Sequence, residues 1–164
     1  MLQDQIIDAS LQSLRNEGLR FSVDSLAARL KISKKTIYKY FPTKEALALA
    51  MYDRYYDLAA SHAAALCAQP GPPRISELLQ LYCDARYMVR GEIFNKYKLN
   101  DVLQAHTARQ SERLWQTISG AFPGPLTPEE QTALRIAVEG AVDRLIEAHI
   151  SPDSIIERLV KLVC

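Results

Sequence analysis

Residues 21–47 have the sequence FSVDSLAARLKISKKTIYKYFPTKEAL, which contains two short helical patterns separated by about three residues. In the first pattern, apolar residues recur at i, i+3, i+4 and i+7: Val23, Leu26, Ala27 and Leu30. Ser22 is placed to cap the first helix and Ser33 the second, which should end before Pro42. The segment therefore predicts two consecutive short helices joined by a tight turn.

Helices this short need neighbours to pack against, and the flanking sequence supplies them. Residues 2–17 predict one helix, and Thr43 is placed to cap a long helix from Lys44 to about residue 68. In the second short helix, Ile37 and Phe41 lie four residues apart and predict a stripe buried against Leu26 and Leu30. The opposite face carries polar side chains and tyrosines: Lys35, Thr36, Tyr38 and Lys39, with Lys34 and Tyr40 at its flanks.

Positive charge is concentrated in the same segment. Residues 1–48 carry eight Lys/Arg and five Asp/Glu, a net charge of +3, whereas the remainder carries twelve basic and fourteen acidic residues, a net of −2. Between Arg29 and Lys44 there are six basic residues and no acidic one. Such a patch is typical of a surface that binds a polyanion, although a basic run can also be an ordinary solvated face.

A helix that buries one stripe and presents lysines and tyrosines on the other suits the major groove of DNA. Lysine can donate to guanine edges or phosphates, and a tyrosine can reach a thymine methyl group and the backbone. Lys44, together with the first backbone amides of the long helix, is placed to meet a phosphate. The segment thus predicts a helix-turn-helix that reads double-stranded DNA.

The same residues resemble the DNA-binding segment of the tetracycline-repressor-like (TetR) family of bacterial regulators. The resemblance covers about residues 5–50 and is carried by Ala9, Gly18, Ser22, Val23, Leu26, Ala27, Ile32, Ser33, Thr36, Ile37, Tyr38, Tyr40, Phe41, Lys44, Glu45 and Leu47. This sequence departs from the family pattern at Lys31, where glycine is common, and at Lys35, where a small residue is frequent. A left-handed Lys31 would cost on the order of 1 kcal/mol.

The resemblance implies a homodimer that reads a near-palindromic site and is released when a small-molecule effector enters the C-terminal domain. It places the DNA contacts at Lys34, Lys35, Thr36, Tyr38, Lys39, Tyr40 and Lys44, with Ser22 as a candidate phosphate contact. An alternative is a helical DNA-binding or interaction protein that has no small-molecule effector and is constitutive or answers to a protein partner.

The rest of the chain also predicts helices, because it has no alternating strand pattern and no hairpin signal. Helical patterns cover residues 75–90, 106–121, 128–148 and 152–164, and the stretch 91–105 is weaker. We therefore predict an all-α protein of eight or nine helices, divided into a helix-turn-helix domain (residues 1–47) and a helical ligand-binding and dimerisation domain (residues 48–164).

Two groups of apolar residues are candidates for the functions of the second domain. The last two helices are apolar over more than one stripe, which predicts a dimer interface formed by Leu134, Val138, Ala141, Leu145, Ile156, Leu159, Val160 and Val163, although burial within one subunit is an alternative. The aromatic residues of the middle helices are candidates to line an effector pocket, or else ordinary core: Tyr52, Tyr55, Tyr56, Tyr82, Tyr87, Phe94, Tyr97 and Trp115. Among these, Tyr56, Tyr82, Tyr87, Phe94 and Trp115 are the predicted ligand-binding set.

Composition argues against several other classes. No apolar run approaches the ~18–20 residues of a membrane span, so we expect a cytoplasmic protein that does not contact a membrane. Cys67, Cys83 and Cys164 form no CxxC pair and the three histidines are scattered, which predicts plain thiols rather than a redox switch, and no metal site or cofactor. No nucleophile–base pair or phosphate loop is visible, so we do not expect an enzyme.

Overall fold

The computed structural model describes residues 1–17, 22–70, 74–90, 101–122 and 126–148, together with Ile156. This part of the chain forms seven helices and contains no strand. They are α1 (Leu2–Glu17), α2 (Val23–Leu30), α3 (Lys34–Tyr40), α4 (Lys44–Cys67), α5 (Ile75–Arg90), α6 (Asp101–Ser119) and α7 (Pro128–Glu147). The prediction of an all-α fold is confirmed, and none of the seven helices is long and apolar enough to cross a bilayer.

The predicted count of eight or nine helices is not reached in the described residues. Of the weaker stretch 91–105, residues 91–100 lie outside the described residues, and residues 101–105 belong to α6, which begins by Asp101, about five residues before the predicted start at residue 106. The other predicted helix, residues 152–164, lies outside the described residues except for Ile156, which is helical and buried.

Several helices begin at the capping residues that the sequence predicts. The hydroxyl of Thr43 accepts a hydrogen bond from the amide of Ala46 at 3.0 Å, which caps α4. At α7 the capping box is complete, because the amide of Thr127 donates to Glu130 Oε2 (2.8 Å) and the amide of Glu130 donates to Thr127 Oγ1 (3.2 Å). These local bonds satisfy amides that have no partner within the helix.

The described residues form two compact units. The first comprises those of residues 1–57 and 101–108, and the second those of residues 58–90 and 109–156. In the first unit, α1 packs on α2 and α2 packs on α3 around a buried apolar core: Ile6, Ile7, Leu11, Leu14, Val23, Leu26, Ala27, Ile37, Phe41 and Leu47. In the second unit, α5 packs on α7.

Ion pairs on the first unit connect its longer helices. Arg54 of α4 bonds to Asp4 at 2.7 Å and to Asp8 at 3.2 Å, and both acids belong to α1. On the same helix, Asp53 lies 2.5 Å from Nε2 of His106 in α6. These contacts fasten α4 to its neighbours and so fix the frame on which α2 and α3 rest.

Candidate nucleic-acid interface

The turn between α2 and α3 contains a non-glycine residue in the left-handed conformation. Lys31 has φ 55° and ψ 38°, which is the conformation that the sequence flagged as costly. The amide of Lys31 donates to the carbonyl of Ala28 (3.1 Å) and the amide of Ile32 donates to that of Ala27 (3.0 Å). This pair of bonds is a Schellman motif, which ends α2 and redirects the chain within three residues.

Serine hydroxyls set the start of both short helices. Ser33 Oγ accepts from the amide of Thr36 (3.0 Å) and lies 2.8 Å from Thr36 Oγ1. Ser22 makes the same arrangement with Ser25, whose amide donates to it at 3.1 Å. The hydroxyls of Ser22 and Thr36, both predicted DNA contacts, therefore already take part in local hydrogen bonds, and an approaching phosphate or base would share them.

The two sides of α3 differ as the sequence predicts. Ile37 is 1% exposed and Phe41, directly after the helix, is 4% exposed. Lys34, Lys35, Lys39 and Tyr40 are exposed, whereas Thr36 and Tyr38 are half-buried. The exposed side of α3 thus carries three ammonium groups and a phenol, while the apolar side is used for packing within the first unit.

The basic residues of this segment are not equivalent. Lys34 Nζ donates to Asp24 Oδ2 at 2.9 Å, and the hydrogen bond and charge of Asp24 raise the pKa of Lys34. Arg29 is turned toward α1, where it donates to Ser13 Oγ (3.0 Å) and to Gln12 Oε1. Lys31, Lys35 and Lys39 are exposed and form no ion pair within the described part of the chain. We call the exposed cations Lys31, Lys34, Lys35, Lys39 and Lys44 the basic surface.

Sequence reasoning did not single out Asp24 or Arg29 as individual residues. Arg29 was counted only as part of the basic run, and Asp24 lies ten positions before its partner. A contact between two helices across a turn leaves no periodic signal, so neither role could be derived from spacing.

The predicted effector-pocket residues are distributed over both units. Tyr82 and Trp115 lie together in the second unit with ring centroids 5.1 Å apart, and Phe122 is 6.3 Å from Trp115. Tyr56 is buried in the first unit. Phe94 lies outside the described residues, and of Tyr87 only the helical backbone is described.

A polar network in the second unit surrounds Tyr82. Glu139 Oε1 accepts from the Tyr82 hydroxyl (2.5 Å), from Arg86 Nη1 (3.1 Å) and from Arg135 Nε (3.0 Å). Arg86 also bonds to Asp143 at 2.8 Å, and its buried Nε has no hydrogen-bond partner. Burial raises the pKa of Glu139, but the hydrogen bonds from Tyr82 and Arg135 and the charge of Arg86 outweigh it, so the pKa lies below its ordinary value.

The predicted dimer residues of α7 mostly face inward. Val138 and Leu145 are buried within the chain, as is Ile156, while Leu134 and Ala141 are half-buried; Leu159, Val160 and Val163 lie outside the described residues. The exposed side of α7 instead carries Ile136, which is 67% exposed, with the small residues Ala133, Ala137 and Gly140. Because α7 is apolar on several sides, its sequence could not show which side packs against other helices of the same subunit.

Within the described residues, no three His, Cys, Asp or Glu side chains converge in a way that could hold a metal ion.

Comparison with known proteins gives a family for the first fifty residues. The family described as "Bacterial regulatory proteins, tetR family" matches residues 6–51. An uncharacterised HTH-type transcriptional regulator of Bacillus subtilis, YuxN, is 36% identical over 77 residues, which cover 46% of this chain and 26% of that protein. An HTH-type regulator of Mycobacterium tuberculosis is 28% identical over 85 residues, covering 50% of this chain and 36% of that protein. The matched stretches thus span only about a third or less of these relatives.

The fold of the described chain has a counterpart among solved structures. A transcriptional regulator of the TetR/AcrR family from Thermobifida fusca superposes with a TM-score of 0.65 over 98% of this chain and 95% of that chain, at 23% sequence identity. This likeness supports the fold alone.

Proposed function

We propose that this chain is a transcriptional repressor of the tetR family, which binds a near-palindromic operator as a homodimer and is released by a small-molecule effector; the match of residues 6–51 to that family supports the proposal. The observation that carries the proposal is the division of α3 into a buried side and an exposed cationic side. In the proposal, residues 1–47 form the DNA-binding domain and residues 48–164 the ligand-binding and dimerisation domain.

We assign the DNA contacts to the exposed side of α3 and to its surroundings. We assign base reading to Lys35 and Lys39, whose side chains are exposed, and to the half-buried Tyr38, because side chains on the outer side of a helix in the major groove reach base edges. Four of the remaining predicted contacts are assigned to phosphates or the helix ends: Ser22, Thr36, Tyr40 and Lys44. The fifth, Lys34, can bind a phosphate only in exchange for its ion pair with Asp24. Phosphate contacts fix the register of the protein on the duplex and carry no sequence information of their own.

A homodimer would supply two such helices to successive major grooves, which lie ~34 Å apart along the duplex.

We infer that the exposed side of α7 contributes to the dimer interface. Ile136 offers an apolar side chain that is 67% exposed, and a Cβ added at Gly140 would meet nothing within 4 Å, so this side of the helix leaves room for a close neighbour. A buried isoleucine at a subunit contact is stabilising, whereas a buried unpaired charge is not.

The proposal has two versions for the second unit: one in which it binds a small-molecule effector and one in which it does not. Aromatic rings beside a polar network, with the buried donor Arg86 Nε unused, are the kind of surroundings in which a small, partly apolar ligand is held. The version without an effector is favoured by a different observation: Tyr82 is 0% exposed, contacts Trp115 and donates its hydroxyl proton to Glu139, so this part of the unit is already filled by side chains.

The DNA-binding proposal is tested by selecting binding sites from random duplexes with the purified full chain and measuring the affinity of variants for the selected site. Tyr38→Ala and Lys39→Ala should each weaken binding by about 1–3 kcal/mol if the side chain contacts a base. Arg113→Ala is the matched control, because it removes an exposed charge from α6, outside the proposed DNA-binding domain of residues 1–47. Unchanged affinity in both α3 variants would contradict the proposal.

The homodimer is tested by sedimentation equilibrium of the intact protein. Ile136→Glu should convert a dimer into a monomer, because it places a charge in the proposed apolar contact, and it should reduce the protected DNA to one half-site. Leu58→Glu, at another exposed apolar residue (57% exposed), should leave the dimer intact. A dimer that persists in Ile136→Glu would refute this placement of the interface.

A further inference from the structure

The ion pair between α2 and α3 suggests a control on how tightly the basic surface binds DNA. We propose that Asp24 is an internal competitor for Lys34: its carboxylate occupies the ammonium group that a DNA phosphate would otherwise bind, and so withholds one phosphate contact per subunit. This inference rests on the proposed DNA-binding function and adds to it that Asp24 lowers the affinity for DNA.

The geometry places the two groups in direct contact at the surface. Lys34 is the first residue of α3 and Asp24 lies in the first turn of α2, and their side chains are 48% and 73% exposed. The distance from Lys34 Nζ to Asp24 Oδ2 is 2.9 Å, which is that of a charge-assisted hydrogen bond. The Schellman turn at Lys31 and the caps at Ser22 and Ser33 hold the two helix starts in this arrangement.

Lys34 is set apart from its neighbours by this contact. Lys31, Lys35 and Lys39 are also exposed, yet within the described residues none of these three is paired with a carboxylate. Among these four lysines the pairing therefore distinguishes Lys34. Because Lys34 donates to Asp24, its pKa is raised, and the side chain stays protonated throughout the working range of pH.

The consequence for DNA binding follows from competition. A phosphate that binds Lys34 must displace the Asp24 carboxylate and then lie beside it, where the two negative charges repel each other. Lys34 is therefore the lysine of the basic surface that gains least from a phosphate. Non-specific binding depends almost wholly on such contacts, so withholding one of them weakens the hold on every duplex regardless of sequence.

The magnitude can be worked from the release of counterions. Each phosphate neutralised on B-DNA changes the slope of log K against log salt by about −0.9, so one added contact should raise affinity about eightfold at 0.1 M salt and by progressively less toward 1 M. Asp24→Asn removes the charge and keeps the size of the side chain. For each subunit engaged, we expect it to steepen the salt slope by about 0.9.

The experiment is a double-mutant cycle measured on a random-sequence duplex by fluorescence anisotropy across a salt series, with the full chain as wild type, Asp24→Asn, Lys34→Ala and the double variant. If Asp24 acts through Lys34, Asp24→Asn raises affinity and slope in the wild type and has little effect when Lys34 is already alanine. Glu45→Gln is the matched control, because it removes an exposed acid from the first turn of α4 without touching Lys34.

Three results would overturn the inference. One is an equal effect of Asp24→Asn with and without Lys34, which would mean that Asp24 acts only by repelling DNA directly. Another is an effect of Glu45→Gln as large as that of Asp24→Asn. The third is an unchanged slope in Asp24→Asn although the wild type binds duplex, which separates failure of this inference from failure of the proposed function, where the wild type itself would not bind.

Discussion

Replacing Lys31 by glycine should stabilise the protein, although it removes a side chain from the turn on which the helix-turn-helix depends. At φ 55° the Cβ of an L-residue is crowded by its own backbone, and glycine has no Cβ. The side chain of Lys31 is exposed, so its removal uncovers no apolar core. The bonds that define the turn are made by the backbone amides of residues 31 and 32, and glycine retains both.

The expected gain is the difference between two opposing terms. A left-handed conformation costs an L-residue roughly 1–2 kcal/mol, and the greater freedom of glycine in the unfolded chain costs roughly 0.5–1 kcal/mol. We therefore expect Lys31→Gly to raise the free energy of unfolding by up to about 1.5 kcal/mol, with a Tm higher by about 2–4 °C for each kcal/mol in a chain of this size.

The measurement is urea unfolding followed by far-UV circular dichroism, with Lys31→Ala as the control. Alanine removes the same charge and the same aliphatic chain but keeps the Cβ, so it retains the strain. Lys31→Gly should therefore be more stable than Lys31→Ala by about 1 kcal/mol. If the two variants unfold at the same urea concentration with equal slopes, the left-handed turn is not strained and the reasoning fails.

Two further predictions concern the second unit. Because the pKa of Glu139 is lowered in the folded protein, its ionised form stabilises the fold at pH values above the unfolded-state pKa of ~4.3, and this contribution is lost as the pH falls through the lower folded-state pKa. In unfolding curves measured between about pH 5 and pH 3, the Glu139→Gln variant should therefore lose less stability than the wild type. Burial raises the pKa of the Cys83 thiol to about 12, whereas Cys67 is exposed. Iodoacetamide at pH 8 should therefore label Cys67 much faster than Cys83 in the folded protein, as measured by peptide mass spectrometry, and equal rates would contradict the packing around Cys83.

Local signals in the sequence were enough to predict most of the helices. Ser22, Ser33, Thr43 and Thr127 each cap the helix that follows, because a capping hydroxyl and the amides it satisfies lie within three residues. The predicted start of α6 was about five residues too late, although Asn100, a residue type preferred at N-caps, precedes Asp101 in the sequence. The buried side of α3 could also be predicted from the sequence, because its two large apolar residues lie four positions apart.

Contacts between helices could not be predicted in the same way. The pairing of Lys34 with Asp24 and the network around Glu139 depend on how separate helices pack, and no periodicity encodes that packing. In α7 apolar residues occupy several sides, so hydrophobicity did not show that Ile136 is exposed and Val138 is buried. The position of Tyr56 in the first unit and of Tyr82 in the second is likewise a property of packing.

The orientation of Arg29 has a consequence for genetic work on this protein. Its guanidinium donates hydrogen bonds to Ser13 and Gln12 of α1 and so holds α2 against α1, although Arg29 belongs to the basic run that is proposed to bind DNA. Under the proposed function, a screen for alleles that no longer regulate a reporter would recover changes at Arg29 as well as at Lys39, and their positions in the sequence would not distinguish them. Growth temperature should separate them, because an allele that loosens a helix is rescued by cooling, whereas one that removes the proposed operator contact is not.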